Sequence, residues 1–174
     1  LLSSWCEKNS FTLVILGRSA NEPCEEQAYF QSLATAEFDF EPASAYPSAY
    51  YLADNAHAVT FIDSTLGYEC LARGARVAAF TIRDRLLDLP KPGSGLKFGW
   101  PAAFNDEGPF WSNNADAVSA ERILDFACHA TDDEWSAVRQ QVAGKVMIYD
   151  RGNAILRQTV LDALTTSSIQ EGGS

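Results

Sequence analysis

The sequence predicts an α/β domain built on a parallel sheet with helices covering both faces. Three observations carry this. Apolar runs rich in β-branched and aromatic residues (FTLVIL at 11–16, AVTFI at 58–62, VAAF at 77–80) alternate with segments of helical spacing. The runs are dominated by apolar residues, as strands buried on both faces are. The stretch Ala58–Phe80 then compresses a strand, a turn, a short helix and a second strand into one unit, with Asp63-Ser64-Thr65 at the turn and Gly74 stopping the helix.

Taken in order, residues 1–9 read as the end of a helix with Trp5 as a packing residue, and Phe11–Leu16 as a buried strand followed by Gly17-Arg18-Ser19. Glu25–Leu33 has helical spacing that allows Tyr29, Phe30 and Leu33 to face a core. Phe38–Phe40 suits a short strand, and Pro47 suits the first turn of a helix over Ser48–Asn55. Ala58–Ile62 is the expected central strand, Leu66–Arg73 its helix and Val77–Phe80 the next strand. Residues 84–115 lose periodicity, rich in Pro and Gly but studded with Phe98, Trp100, Phe104, Phe110 and Trp111, which argues for an ordered loop. Ser119–Ala127 is expected to be helical. Thr131, with Glu134 three residues on, is a capping box opening a helix to about Val142. Gly152-Asn153 precedes a last helix, Ala154–Leu164. The expected division is therefore one domain over 1–164 and a flexible polar tail over 165–174.

At 174 residues the chain suits a single domain, able to bury roughly two thirds of its unfolded surface. No apolar stretch approaches the ~20 residues needed to span a bilayer, and no signal-peptide pattern opens the chain. Because it begins at Leu1, it is expected to be a fragment or processed product of something longer. Cys6, Cys24, Cys70 and Cys128 form no C-x-x-C pair, which argues against structural zinc and a disulfide framework and for buried thiols in a reducing compartment. The net charge of −10 argues against nucleic-acid binding. Within 73–97, however, Arg73, Arg76, Arg83, Arg85, Lys91 and Lys97 face only Asp84 and Asp88. That run is either a basic pocket for a small anion or a solvated surface.

Ligands of such sheets sit beyond the carboxyl ends of the strands. Arg18, Asp63-Ser64-Thr65 and Thr81–Arg83 all follow strands and are expected to converge on one rim. Ser64 and Thr65 stand where a helix exposes unpaired N–H groups, a ready anion site to which hydroxyls add donors. The alternative is that one of them caps the helix. Glu69 shares a helix face with Thr65 and can accept two hydrogen bonds from a ribose diol, or pair with Arg73 one turn on. Arg18 can donate to the same anion or lie on the surface; Arg83 has a similar case. Asp63 is a rim candidate, with helix capping as its alternative. The loop aromatics can stack on a ring or form the loop's own core. His57 and His129 read as structural. No Ser-His-Asp set, G-x-G-x-x-G motif or acidic pair for a metal occurs.

The segment FIDSTLGYECLARGARVAAF resembles the donor-binding half of GT-B glycosyltransferases, most of all the bacterial surface-polysaccharide group that includes Kdo transferases. In that group a strand leads into a D-S-T-L-G-Y-E helix and an A-R-G-x-x-V turn. VILGRS, GPFWSNN and YDRGNAILRQTVLDAL are similar to its flanking pieces, so the resemblance spans most of 11–164. It implies a Rossmann-like three-layer domain that is one half of a GT-B fold. Ser64, Thr65 and Arg18 would hold the donor phosphate and Glu69 the ribose. The donor would be a CMP- or UDP-linked sugar acting as substrate, with no separate cofactor and no metal. The implied partners are a glycan acceptor and a second Rossmann-like domain in the parent chain, which would bring the acceptor site and the catalytic group. The implied location is cytoplasmic, at the inner face of a bacterial membrane with peripheral association. A sugar-nucleotide 2-epimerase shares this fold and donor site, and a non-catalytic nucleotide- or glycan-binding module is the reading from another class.

Overall fold

A computed structural model describes residues 1–18, 22–43, 48–82, 97–99 and 104–170. The elements run α1 (Leu2–Lys8), β1 (Val14–Leu16), α2 (Pro23–Leu33), β2 (Asp39–Glu41), α3 (Ser48–Asn55), β3 (Val59–Phe61), α4 (Thr65–Arg73), β4 (Val77–Phe80), β5 (Glu107–Gly108), β6 (Trp111–Ser112), α5 (Ala117–His129), α6 (Asp132–Val146) and α7 (Ala154–Gln170). The architecture is α/β and Rossmann-like, with parallel strands between helical layers.

The main sheet has the order β3-β4-β6-β5. β3, β4 and β6 are parallel, Val59 lying opposite Val77 and Ala79 opposite Trp111, while β5 and β6 form an antiparallel hairpin. β4 sits at the centre of the packing. Its side chains alternate between two cores, as the two-residue strand period requires. Val77 and Ala79 join Cys70 and Leu71 of α4 and Trp135, Val142 and Ala143 of α6. Ala78 joins Trp5 and Cys6 of α1 and Ile123, Leu124 and Ala127 of α5. Val77, Ala78 and Ala79 are fully buried, so the apolar run VAAF reflects burial on both faces.

The helix starts follow their sequence signals. Asp116 caps α5 by accepting the Ser119 N–H at 2.8 Å. Thr131 and Glu134 complete the expected capping box on α6. Backbone N–H donors, Ser119 for Asp116 and Thr131 for Glu134, hold both carboxylates below the usual carboxylate range. Gly74 ends α4 with φ 109°, the left-handed conformation that makes glycine the favoured residue there. Gly67 lies so close to β3 that an added Cβ would stand 2.1 Å from the Phe61 ring.

Several expectations change. The first strand is only Val14–Leu16 and is half-exposed, with Val14 at 45%. It pairs with β2 in a separate two-stranded ladder, while Phe11 and Leu13 turn into the core around α1 and α5. Tyr29 and Leu33 of α2 face solvent, and α2 buries no residue. α6 extends to Val146, and α7 extends to Gln170 with Ile155, Leu156, Val160, Leu161 and Leu164 exposed. The aperiodic stretch contains the β5–β6 hairpin, and its aromatics are core: Phe98 and Phe110 are fully buried, and Phe98 stacks on Trp111 at 4.7 Å between centroids. Pro47, Trp100 and the end of the expected tail lie outside the described residues.

The two glycines on helices give opposite expectations. Gly67→Ala drives a methyl into the Phe61 ring and should destabilise by about 1–3 kcal/mol, the range for overpacking. Gly144 of α6 has nothing within 4 Å of its Cβ position, so Gly144→Ala should stabilise by roughly 0.5–1 kcal/mol by restricting the unfolded chain. Urea denaturation of both variants measures this, and equal effects would contradict the close seating of α4 on β3.

Candidate functional site

Of the expected rim, the segment between β3 and α4 is the most clearly built. β3 ends at Phe61, Ile62 turns outward at 48% exposure, and Asp63 takes a left-handed φ of 49°. Aspartate tolerates that conformation better than most residues. Ser64 is then extended (φ −94°, ψ 131°) as the N-cap of α4, which begins at Thr65. Asp63 therefore precedes the cap, and its expected capping alternative falls to Ser64 by position. Yet no side chain hydrogen-bonds to cap this helix. The Ser64 carbonyl accepts Gly67 N–H at 3.1 Å, while the Ser64 and Thr65 hydroxyls make no hydrogen bond among the described residues. Thr65 is exposed and Ser64 half-buried, so both are accessible at the positive end of the α4 dipole.

Parallel register carries β4 past the same level. Phe61 lies opposite Ala79, which sets Thr81 beside the Asp63 turn. Thr81 is buried, donates its N–H to Ser112 O at 3.0 Å, and lies beside the phenol of Tyr68 in the first turns of α4. The Tyr68 oxygen accepts Gly99 N–H at 3.2 Å. Burial, reinforced by the Asp63 carboxylate, raises the Tyr68 pKa; the Gly99 N–H and the Thr81 hydroxyl oppose this. Tyr68 therefore stays protonated at neutral pH.

Glu69 is half-buried one turn below Thr65. It does not make the intrahelical pair with Arg73 that the spacing allowed. The Tyr50 hydroxyl of α3 donates to Glu69 Oε2 at 2.5 Å, and Arg73 instead pairs with Asp54 of α3 at 2.6 Å. Arg73 also lies over the Tyr50 ring, 4.9 Å from its centroid. Tyr50 and Asp54 were not singled out from the sequence. Their i, i+4 spacing on α3 matches that of Glu69 and Arg73 on α4, which was the available signal.

The other expected participants are less convergent. Arg18 is exposed at the end of β1, whose hydrogen-bonded ladder is with β2 and not β3. Its backbone N–H donates to both Glu26 carboxylate oxygens at 2.9 Å, so an internal anion already serves that turn. Arg83 lies outside the described residues, as do Arg85 and Lys91. The described cations of the basic run are each paired: Arg73 with Asp54, Arg76 with Asp132 at 2.8 Å, Lys97 with Asp106 at 2.7 Å. For these three the basic-pocket expectation gives way to local neutralisation. A concavity lined by Asp54, Arg73, Gly74, Ala75 and Tyr149 opens at the C-terminal end of α4, the end away from Ser64. His57 bonds Cys128 O at 2.8 Å and His129 packs beside Trp5 and Phe11, both structural placements. Among the described residues, no group of three or more His, Cys, Asp or Glu is placed to hold a metal ion, and no helix is long and apolar enough to cross a membrane.

The fold and this helix start define an α/β Rossmann-like domain with an accessible hydroxyl pair at the carboxyl edge of its sheet. More particularly, the chain belongs to the family described as "putative O-antigen biosynthesis protein", whose model matches residues 1–162. That membership ties it to surface-polysaccharide biosynthesis. No curated protein and no solved structure matches the chain.

The four thiols are unpaired, and Cys24 departs from the expected burial by being exposed on α2. Burial raises the pKa of Cys6 and Cys70, and that of Cys128 to about 11, keeping them as thiols at neutral pH. Since the thiolate is the nucleophile, a disulfide reagent at pH 7.5 should titrate one fast thiol per folded chain, and Cys24→Ser should abolish that phase. A second fast thiol in the native protein would contradict this burial pattern.

Proposed function

We propose that this chain is the donor-binding half of a glycosyltransferase that moves a sugar from a CMP- or UDP-linked donor onto a bacterial surface glycan. The observation that carries the reading is the start of α4, where the Ser64 and Thr65 hydroxyls are uncommitted beside the helix dipole, in a member of an O-antigen biosynthesis family. In this reading the donor phosphate accepts hydrogen bonds from the two hydroxyls and the first α4 N–H groups. Glu69, one turn below, accepts the ribose hydroxyls. Arg18 and Arg83 assist at the phosphate, and Asp63 shapes the turn beneath it. The chemical contribution is to orient the donor and to stabilise negative charge on the phosphate as it departs. The acceptor and the catalytic group belong to a second Rossmann-like domain.

Calorimetry with CMP, UDP and their sugar conjugates tests the proposal. One of the two nucleotide series should bind, and Ser64→Ala with Thr65→Ala should weaken it about 10- to 100-fold, the worth of one or two hydrogen bonds to a charged group. The proposal fails if neither series binds at millimolar concentration and the double variant retains full sugar-transfer activity.

A further inference from the structure

We infer that Tyr50 is the positioning residue that makes the donor site selective for ribonucleotides, acting through Glu69. The inference rests on the reading of Glu69 as the ribose acceptor. A glutamate at this place would ordinarily turn freely about its terminal torsion, which is broad and roughly two-fold. Here the Tyr50 hydroxyl donates to Oε2 at 2.5 Å and fixes the carboxylate plane. Tyr50 is itself held. Arg73 lies over its ring at 4.9 Å, and the Arg73 guanidinium is anchored on α3 by Asp54 at 2.6 Å. Four side chains from two helices are thus linked in series: Asp54 holds Arg73, Arg73 lies over the Tyr50 ring, and the Tyr50 hydroxyl holds Glu69.

The bond uses one acceptor position on one oxygen. A carboxylate offers about four such positions, so Oε1 and the second lone pair of Oε2 stay available. Two neighbouring acceptors in a fixed plane match the two hydroxyls of a ribose cis-diol. A 2′-deoxyribose would satisfy only one of them and leave the other acceptor without its donor. Because Arg73 is drawn to Asp54, its charge does not compete with the diol for Glu69 in a direct ion pair. Tyr50 contributes no contact to the ligand; its effect is on the orientation of Glu69.

The test is calorimetric titration of the protein with CMP and UMP, each against its 2′-deoxy counterpart, for wild type, Tyr50→Phe, Glu69→Gln and the double variant. Phenylalanine keeps the ring under Arg73 and removes only the hydroxyl. Wild type should favour the ribonucleotide by about tenfold, one hydrogen bond's worth. Tyr50→Phe and Glu69→Gln should each reduce that preference to about twofold or less, and the double variant should lose no more than either single change. Affinity for the 2′-deoxy nucleotides should change little in Tyr50→Phe. A purely structural role would weaken both sugars alike, and that result overturns the inference. So does Tyr50→Phe with the ribose preference intact, or additive losses in the double variant, while the donor-site reading survives either. If wild type binds neither nucleotide, the donor-site reading itself fails and takes this one with it.

Discussion

The seating of α4 against β3 governs the site. Gly67 faces the Phe61 ring with no room for a Cβ, and Cys70 and Leu71, one turn further along, are fully buried with Val77 and Ala79. A helix anchored this closely cannot slide along its strand without a large loss of packing. Its N-terminus is therefore fixed relative to the end of β3. The Asp63 turn makes the join with one left-handed residue, and Ser64 and Thr65 are delivered to the carboxyl edge of the sheet. The second consequence lies on the opposite face of the helix contact. With α4 fixed, Glu69 and Arg73 meet Tyr50 and Asp54 of α3. One close approach in the core thus sets both the helix start and the carboxylate one turn below it.

Charge is arranged against the simplest expectation. A chain of net charge −10 with a local basic run invites the idea of a focusing basic pocket. In the fold, Arg73, Arg76 and Lys97 each find a carboxylate within 2.8 Å, drawn from α3, α6 and the turn before β5. These pairs knit elements together, and with at least one partner of each well exposed they add little stability individually. Among the described residues, the α4 start presents a helix dipole and neutral hydroxyls, with the Asp63 carboxylate in the turn before them. At a helix N-terminus of this kind, oriented N–H groups can meet the charge of an anion.

Sequence reasoning reached the central unit because its signals are local. Gly74 ended the helix, Thr131 and Glu134 opened another, and alternating apolar runs placed β3 and β4. It failed where burial depends on long-range partners. FTLVIL has the composition of a central strand, yet only Val14–Leu16 pairs, and it pairs with β2 at the side of the molecule. Tyr29 and Leu33 have core-facing spacing on α2, but among the described residues no element covers them. The aromatic stretch around Phe98 hid a hairpin because two-residue strands are too short to show a period. The start of α4 at Ser64 and Thr65, and the place of Glu69 one turn below it, follow from local signals. The Tyr50–Glu69 hydrogen bond does not, because it depends on α3 lying beside α4.

The contrast among helix starts says most about the hydroxyl pair. α5 and α6 each satisfy orphan N–H groups with a side-chain oxygen, from Asp116 and Thr131. Such a cap is worth about 1 kcal/mol. α4 has a serine at the same position with suitable extended backbone, and its hydroxyl does not make the bond. A serine that only capped would be expected to take that stabilisation. The sequence supplies a donor at the cap and a second at the first helical residue, while the fold leaves both accessible at the rim. An oxyanion arriving there would accept from those hydroxyls and from the N–H groups at once, recovering the forgone cap together with charge-assisted bonds of about twice the strength of neutral ones. The unmade cap and the accessible dipole end are therefore two aspects of one arrangement, a helix start whose donors the fold leaves unspent.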